Sequence, residues 1–106
     1  LLAPLGAKRF MGAERHFLAG AVSRDASALS VTRPFDGQPA SVGNGTMVAL
    51  AADSPEVVDR VYAKAIELGG ADEGPAGPRG DEGFYAGYFR DLDGNKLNVF
   101  CFRPPA

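Results

Sequence analysis

The amino-acid sequence predicts an α+β fold built from two β-α-β-β-β modules, the first of which lacks its N-terminal part. Three observations predict this class: an internal repeat, one amphipathic helix with clear start and stop signals, and several strand-like runs separated by turn residues. The length of 106 residues suits one domain, so we assign residues 1–106 to a single domain. Module one spans 1–35, a linker spans 36–44, and module two spans 45–106.

The repeat relates segments that lie 67 or 68 positions apart in the chain. An Ala-Gly pair within a strand-like run occurs at 19–20 and again at 86–87. A Leu-x-Val run follows at 29–31 and again at 97–99. Two unrelated hairpins of similar composition are the alternative, but the landmarks recur in one order, which favours a repeat. If the repeat holds, about two dozen residues, forming a strand and most of a helix, should precede Leu1.

Module one begins with the end of a helix at 1–5. Its strands are predicted from short runs of apolar and β-branched residues bounded by turn residues. These strands lie near 7–11, 15–22 and 28–32. The linker at 36–44 contains Gly, Pro and Asn and is too short and turn-rich to contain a helix.

Module two contains every element of the repeat unit. Its helix covers 54–68, where Ser54 is the N-cap and Pro55 follows at the first helical position. Gly69-Gly70 ends this helix, because glycine tolerates the left-handed conformation found there. The strands span 45–52, 84–90 and 96–103, with a short edge strand followed by a loop within 71–80.

The composition excludes two classes of partner. The formal charge is −2, from 11 basic and 13 acidic residues, so the chain lacks the positive charge of a nucleic-acid-binding protein. No run approaches the roughly 20 apolar residues of a membrane span. Cys101 is the single cysteine, so no internal disulfide can form and a cytoplasmic location is expected. We therefore expect neither nucleic acid nor a membrane as a partner.

Two β-α-β-β-β modules with an Asp-Gly-Asn-Lys turn at 93–96 resemble the vicinal oxygen chelate superfamily. This group is also called the glyoxalase / bleomycin-resistance / extradiol-dioxygenase superfamily. The segments that carry the resemblance are 33–39, 43–48 and 91–97, and the likeness covers essentially the whole chain. It implies a curved, mostly antiparallel, cup-shaped sheet with helices outside, and a divalent metal or a ligand held in the cup.

The resemblance also implies where metal ligands would lie, namely on the first and last strands of each module. In the family these positions typically hold His or Gln on first strands and Glu on last strands. Here Met47 and Asn98 stand at the two positions of module two, and the repeat places Ser30 on the last strand of module one. A thioether, an amide and a hydroxyl carry no charge and suit a divalent cation poorly. We therefore expect no metal and no other cofactor, although a divalent metal is the family norm.

Strand alternation predicts which side chains line the cup. Asp93-Gly94 is a strong turn dipeptide, so we place it at the tip of the last hairpin, which pairs Asn98 with Phe89. With Asn98 pointing inward, Cys101 faces the helix as a small buried apolar residue. The predicted ligand-binding residues are Met47, Tyr85, Phe89, Asn98, Phe100 and Ser30. Ordinary core packing is the alternative for each of them, and no catalytic residue is assigned.

Two further features have both a functional and a structural interpretation. His16, the only histidine, matches a position at the cup rim, but the sequence offers no orienting partner, so we favour a surface or structural role. Residues 74–83 are dense in Gly and Pro and form either a lid over the cup or a plain surface loop.

The expected function is binding of a small-molecule ligand in a degenerate, metal-free cup. The first alternative is a metal-dependent lyase, isomerase or dioxygenase of the same superfamily, so enzymatic activity is left open. The second alternative is a non-catalytic structural or interaction protein. A homodimer is also expected, because a module without its first strand leaves an unpaired edge. The dimer interface would bury Leu1, Leu2 and Leu5.

Overall fold

The structure is a computed structural model that describes residues 3–5, 8–13, 17–21 and 29–103. The chain divides into two units between Ser41 and Val42, inside the linker predicted at 36–44. The assignment of the whole chain to a single domain stays a prediction. His16 lies outside the described residues.

The N-terminal unit contains a short helical turn and an antiparallel sheet. A 3-10 helix covers Ala3–Leu5, where the sequence predicts the end of a helix, and Leu1 and Leu2 lie outside the described residues. The strands are β1 (Lys8–Ala13), β2 (Phe17–Ala21) and β3 (Leu29–Thr32). They pair antiparallel in the order β1-β2-β3, which agrees with the repeat.

The C-terminal unit has the β-α-β-β-β order predicted for module two, and the α+β class is confirmed. Its elements are β4 (Val48–Ala51), α1 (Pro55–Glu67), β5 (Ala71–Pro78), β6 (Phe84–Arg90) and β7 (Lys96–Phe102). The sheet order is β4-β7-β6-β5, with β4 parallel to β7 and the other neighbours antiparallel. A parallel pair needs a crossover connection, and α1 lies within that connection.

Helix α1 begins and ends close to the residues that its sequence signals predict. The Ser54 hydroxyl accepts a hydrogen bond from the Val57 amide at 3.3 Å, which satisfies one of the free N-terminal donors. At the other end Gly69 takes a φ of 102°, and the Gly70 amide donates to the Ala65 carbonyl at 2.8 Å. The helix packs against β5, β6 and β7.

The hydrophobic core of this unit lies between α1 and the sheet. Its buried side chains are Val58, Val61, Ala65, Phe89, Leu97, Val99 and Cys101. The helix approaches the sheet closely at Gly87, where an added Cβ would come within 3.1 Å of Tyr62. Glycine at this position therefore permits the contact between helix and sheet.

The Gly- and Pro-rich segment forms a longer strand than the sequence predicts. Strand β5 runs over Ala71–Pro78, so the predicted lid at 74–83 includes the end of a strand, and residues 79–83 connect it to β6. Two register shifts interrupt its pairing with β6. The Arg79 guanidinium donates to the carbonyls of Pro75 at 2.7 Å and Gly77 at 3.0 Å. These irregularities and side-chain bonds accommodate prolines, which cannot donate to a regular ladder.

The register of the β6–β7 hairpin differs by one residue from the prediction. Asn98 lies opposite Tyr88 rather than Phe89, and the pairing continues to Phe84 opposite Phe102. Successive side chains of a strand alternate between the two faces of the sheet. A slip of one residue therefore moves every side chain of β6 to the other face relative to β7.

The turn between β6 and β7 explains this difference. A tip at Asp93-Gly94 assumes a two-residue loop, but the Asp91 amide donates to the Asn95 carbonyl at 2.9 Å and closes a loop of three residues. Within the loop Gly94 takes a φ of 89°, as in a type I turn followed by a left-handed glycine. The Asp91 carboxylate accepts hydrogen bonds from the amides of Asp93 at 2.9 Å and Asn95 at 2.8 Å. This side chain therefore stabilises the loop length that sets the register.

Among the described residues, no helix has the length and apolar character needed to cross a membrane.

We expect Asp91→Ala to lower the free energy of unfolding by about 1–2 kcal/mol, because two turn amides lose their acceptor. Urea denaturation followed by circular dichroism measures this change. Asp93→Ala is the matched control, since the exposed Asp93 carboxylate accepts no hydrogen bond from the described residues. Equal losses in the two variants would contradict the role of Asp91.

Candidate functional site

The candidate site lies on one face of the four-stranded sheet. Helix α1 covers the opposite face. Two contacts identify that face: Tyr85 donates to Asp59 of the helix, and Gly87 lies against Tyr62. Odd-numbered residues of β6 and β7 thus point toward α1, and even-numbered residues point away from it. We call the surface away from α1 the distal face. In β6 and β7 it carries Phe84, Ala86, Tyr88, Arg90, Lys96, Asn98, Phe100 and Phe102.

Two predicted ligand-binding residues lie on the helix side rather than on the distal face. Tyr85 pairs with Cys101, and its hydroxyl donates to Asp59 at 2.6 Å. Phe89 is 1% exposed and belongs to the core. Their predicted placement on the same face as Asn98 is wrong, because the three-residue loop shifts the register by one position. Cys101, by contrast, is buried toward the helix, as predicted.

The other predicted site residues occupy both units. Asn98 and Phe100 lie on the distal face, in agreement with strand alternation. Met47 directly precedes β4, two residues before Ala49, which pairs with Asn98, and it is 45% exposed. Ser30 lies in β3 of the N-terminal unit and is exposed. Ligand binding by these residues stays a prediction.

Asn98 is the most unusual polar residue of the distal face. It lies between Ala49 on β4 and Tyr88 on β6, and only 2% of it is exposed. Its amide oxygen Oδ1 is buried and accepts no hydrogen bond from the residues that the structure describes. An unpaired buried acceptor of this kind costs about 1–3 kcal/mol. A group that donates a hydrogen bond to this oxygen would recover that cost.

Two cations flank the aromatic ring of Tyr88 on the distal face. The Arg79 guanidinium carbon lies 5.5 Å from the ring centroid, and the Lys96 ammonium nitrogen lies 5.7 Å from it. Both distances fall within the range of cation–π interactions. Tyr88 therefore holds two positive groups beside Asn98, its cross-strand neighbour.

An aromatic cluster adjoins these polar residues. The rings of Phe84 and Phe100 stack with centroids 5.8 Å apart, and Phe84 lies 6.4 Å from Phe102. Phe102 is 54% exposed, so the cluster extends to the surface. The distal face thus combines apolar area with a few polar groups, which is the usual composition of a small-molecule site.

The helix side carries two tyrosine–aspartate hydrogen bonds. Tyr62 donates to the Asp72 carboxylate at 2.8 Å, and Tyr85 donates to the Asp59 carboxylate. Burial and the nearby Asp72 carboxylate raise the pKa of Tyr62, and the bond to Asp59 together with burial raises the pKa of Tyr85. Hydrogen bonds from the Gly74 amide and Tyr62 lower the pKa of Asp72. These four residues link α1 to the sheet.

The residues that the sequence resemblance places at metal-ligand positions do not fit a divalent cation. Met47 offers a thioether and Asn98 a neutral amide, so neither supplies the negative charge that such an ion needs for dehydration. Residues 3–5, 8–13, 17–21 and 29–103 contain no group of three or more His, Cys, Asp or Glu side chains arranged to hold a metal. The absence of a metal from the working protein stays a prediction.

Tyr88, Lys96 and Arg79 are not among the ligand-binding residues predicted from the sequence, although alternation along β7 places Lys96 on the same face as Asn98. A two-residue loop would turn Tyr88 toward α1, and the pairing of Asp91 with Asn95 turns it to the distal face instead. The Asp-x-Asp-Gly-Asn run at 91–95 is the signal that could have found it, because Asp at the start of a three-residue loop bonds the turn amides.

Comparison with solved structures gives a close match over nearly the whole chain. A glyoxalase/bleomycin resistance protein from Albidiferax ferrireducens is 37% identical, with a TM-score of 0.84, and the match covers 98% of this chain and 82% of that one. This chain therefore belongs to the glyoxalase/bleomycin resistance/dioxygenase superfamily, also known as the vicinal oxygen chelate superfamily. The resemblance inferred from the sequence is confirmed.

Two more distant structures share the fold. A glyoxalase/bleomycin resistance protein/dioxygenase family enzyme from Burkholderia phytofirmans is 11% identical, with a TM-score of 0.67, covering 96% of this chain and 84% of that one. A hypothetical protein from S. aureus is 24% identical, also with a TM-score of 0.67, covering 93% of this chain and 78% of that one. Neither a protein-family model nor a curated protein sequence matches this chain.

We expect Asn98→Leu to raise the free energy of unfolding by about 1–3 kcal/mol, because leucine has a similar volume and removes the unpaired buried oxygen. Thermal and urea denaturation of the ligand-free protein measure this change. Asn44→Leu, at an exposed amide of the same unit, is the matched control and should change stability little. A loss of stability in Asn98→Leu would show that Oδ1 has a partner in the folded protein.

Alkaline pH should destabilise the wild type more than a Tyr62→Phe/Tyr85→Phe double variant. The folded-state pKa of each phenol is raised, so its stabilising contribution is complete below the unfolded pKa of about 10. That contribution is lost as the pH rises through the higher folded-state pKa. Urea denaturation from about pH 9 to about pH 11 measures the difference. Parallel pH profiles for the two proteins would contradict this role.

Proposed function

We propose that the protein binds a small organic molecule on the distal face of its C-terminal unit, without a bound metal. The observation that carries this proposal is the buried, unpaired Oδ1 of Asn98. Native proteins rarely leave such an acceptor unsatisfied, so an exception calls for a specific explanation such as a bound ligand, ion or water. Asn98 stands at the strand position where the superfamily places a carboxylate ligand, so the amide replaces metal binding with hydrogen bonding.

The surroundings of Asn98 support a ligand rather than further core packing. Ala49 and Ala86 on the adjacent strands are small, and both lie on the distal face. The stacked rings of Phe84 and Phe100 supply apolar contact area. Because Oδ1 is covered in this structure, binding requires a neighbouring side chain to move aside. After such a rearrangement a hydrogen bond from the ligand to Oδ1 would offset the free-energy cost of burying this oxygen unpaired.

The proposal includes a cytoplasmic protein that forms a homodimer. The single cysteine, Cys101, is a free buried thiol, which is compatible with a reducing compartment. Among the described residues β4 pairs only with β7, so its other edge has no partner strand there, and Val48, the first residue of β4, is exposed. A second copy could cover this edge by adding a strand.

A thermal-shift screen of small molecules tests the binding function. We expect some compounds to raise the melting temperature of the wild type and to lose most of that effect in Asn98→Leu. Asn44→Leu should respond like the wild type. Binding should also persist in EDTA, because the donor set does not require a metal. Stoichiometric Ni, Zn, Fe or Mn in protein purified without chelator would contradict the metal-free site and favour a metal-dependent lyase, isomerase or dioxygenase.

Sedimentation velocity at micromolar concentration tests the assembly. We expect a dimer, and we expect Val48→Lys on the β4 edge to shift it toward monomer by placing a charge in the interface. Glu67→Lys on the exposed end of α1 is the control and should leave the dimer intact. A monomer at all concentrations would contradict the proposed assembly.

A further inference from the structure

We infer that the ligand is a small organic carboxylate that also carries an N–H or O–H donor. Its carboxylate would lie beside Lys96 and Arg79, and its donor would pair with Asn98 Oδ1. This inference rests on the proposed function and specifies the chemical class of the ligand. It follows from the charge on the distal face, the way the cations are held, and the spacing between Lys96 and Asn98.

The charge of the distal face is opposite in sign to that of the chain. The chain carries a formal charge of −2, whereas the distal face presents Arg79, Arg90 and Lys96. Arg90 forms an ion pair with Glu73. Lys96 and Arg79 form no ion pair with a carboxylate of the described residues. Two uncompensated positive charges on one surface favour an anionic ligand.

The acidic residues nearest to Lys96 along the chain are Asp91 and Asp93, and neither forms an ion pair with it. The Asp91 carboxylate accepts hydrogen bonds from the Asp93 amide, the Asn95 amide and the Asn95 side chain. Asp93 lies in the turn that precedes Lys96 and is exposed to solvent, where its charge is screened. The two aspartates therefore neutralise little of the positive charge that Lys96 presents to an anion.

The Arg79 cation is held in position before any ligand binds. Its Nη2 donates to the Pro75 carbonyl and its Nη1 to the Gly77 carbonyl, while its guanidinium lies over the Tyr88 ring. Gly74 makes room for this arrangement, since an added Cβ would come within 3.2 Å of Nη2. A charged group that is already fixed loses little side-chain entropy on binding. The neutral carbonyls leave its positive charge available to a carboxylate.

The spacing along β7 sets an approximate size for the ligand. Lys96 and Asn98 are two residues apart on one strand, so their Cα atoms are about 7 Å apart and their side chains point to the same face. Oδ1 is an acceptor and can pair only with a donor. We choose a ligand whose carboxylate and donor lie at opposite ends of one six-membered ring, because such a molecule can reach two side chains separated by about this distance. The ring itself would lie near Tyr88 and the phenylalanine cluster.

Isothermal titration with three related probes tests the inference. The probes are 4-hydroxybenzoate, which has both groups, 4-hydroxybenzamide, which lacks the charge, and benzoate, which lacks the donor. We expect 4-hydroxybenzoate to bind at least about tenfold more tightly than either of the others. Added salt should weaken the binding of the acid more than that of the amide. Asn98→Leu should abolish the preference for the hydroxyl group.

Lys96→Met is the variant that isolates the charge. It should reduce the affinity for 4-hydroxybenzoate about tenfold and leave 4-hydroxybenzamide unchanged. Lys64→Met, on the exposed surface of α1, is the matched control and should leave all three affinities unchanged. Lys96 is preferred to Arg79, because the arginine also holds the backbone of β5. Circular dichroism and thermal unfolding establish that each variant is folded.

The outcomes separate this inference from the proposed function. If 4-hydroxybenzoate and 4-hydroxybenzamide bind with equal affinity and both fail to bind Asn98→Leu, the preference for a carboxylate is overturned and the small-molecule site is retained. Binding of the acid that depends on Lys96 but not on Asn98 would retain the anion and overturn the role of the amide. Failure of 4-hydroxybenzoate to bind at millimolar concentration would overturn this inference, whereas the proposed function is decided by the thermal-shift screen.

Discussion

The hydrogen bonds of the Asp91 carboxylate to the turn amides are the constraint on which the candidate site depends. They stabilise a loop of three residues between β6 and β7 rather than two. The loop length sets the register, and the register decides which side chains of β6 accompany Asn98. With a two-residue loop Phe89 would lie opposite Asn98, and Tyr85 would lie on the same face. With three residues Tyr88 lies opposite Asn98 instead, and its ring is close to the Arg79 and Lys96 cations.

The two faces of the four-stranded sheet differ in how completely their polar groups are satisfied. On the helix side, Tyr62 and Tyr85 donate to aspartates, and the buried apolar core fills the space between helix and sheet. On the distal face, Asn98 Oδ1 has no partner among the described residues, and two cations have no carboxylate partner there. A protein tolerates such unpaired groups at a cost in stability. This asymmetry points to the distal face as the functional surface.

The chain keeps the superfamily fold, while the residues that the resemblance places at metal-ligand positions are unusual for it. Met47 and Asn98 stand where the family typically presents His and Glu, and a thioether and a neutral amide are weaker ligands for a divalent cation. Lys96 and Arg79 add positive charge near Asn98. The proposed site would recognise a ligand by hydrogen bonding, shape and charge rather than through a bound cation. Shared fold with glyoxalase-like proteins is thus compatible with a different mode of binding.

The sequence by itself determined the elements, their order and the helix boundaries. The helix ends are signalled by the local backbone chemistry of Ser54, Pro55 and Gly69. Alternation along β7 places Cys101 toward the helix. The local sequence is sufficient to predict both features. The tertiary structure alone decided the hairpin register and the extent of β5. The extent of β5 depends on its pairing with β6, for example Ala71 opposite Arg90, and the register depends on which turn amides the Asp91 carboxylate binds. A dipeptide such as Asp-Gly favours a turn but does not fix its length. The cross-strand neighbour of Asn98, Tyr88, is therefore determined by the folded hairpin and not by the composition of the strand.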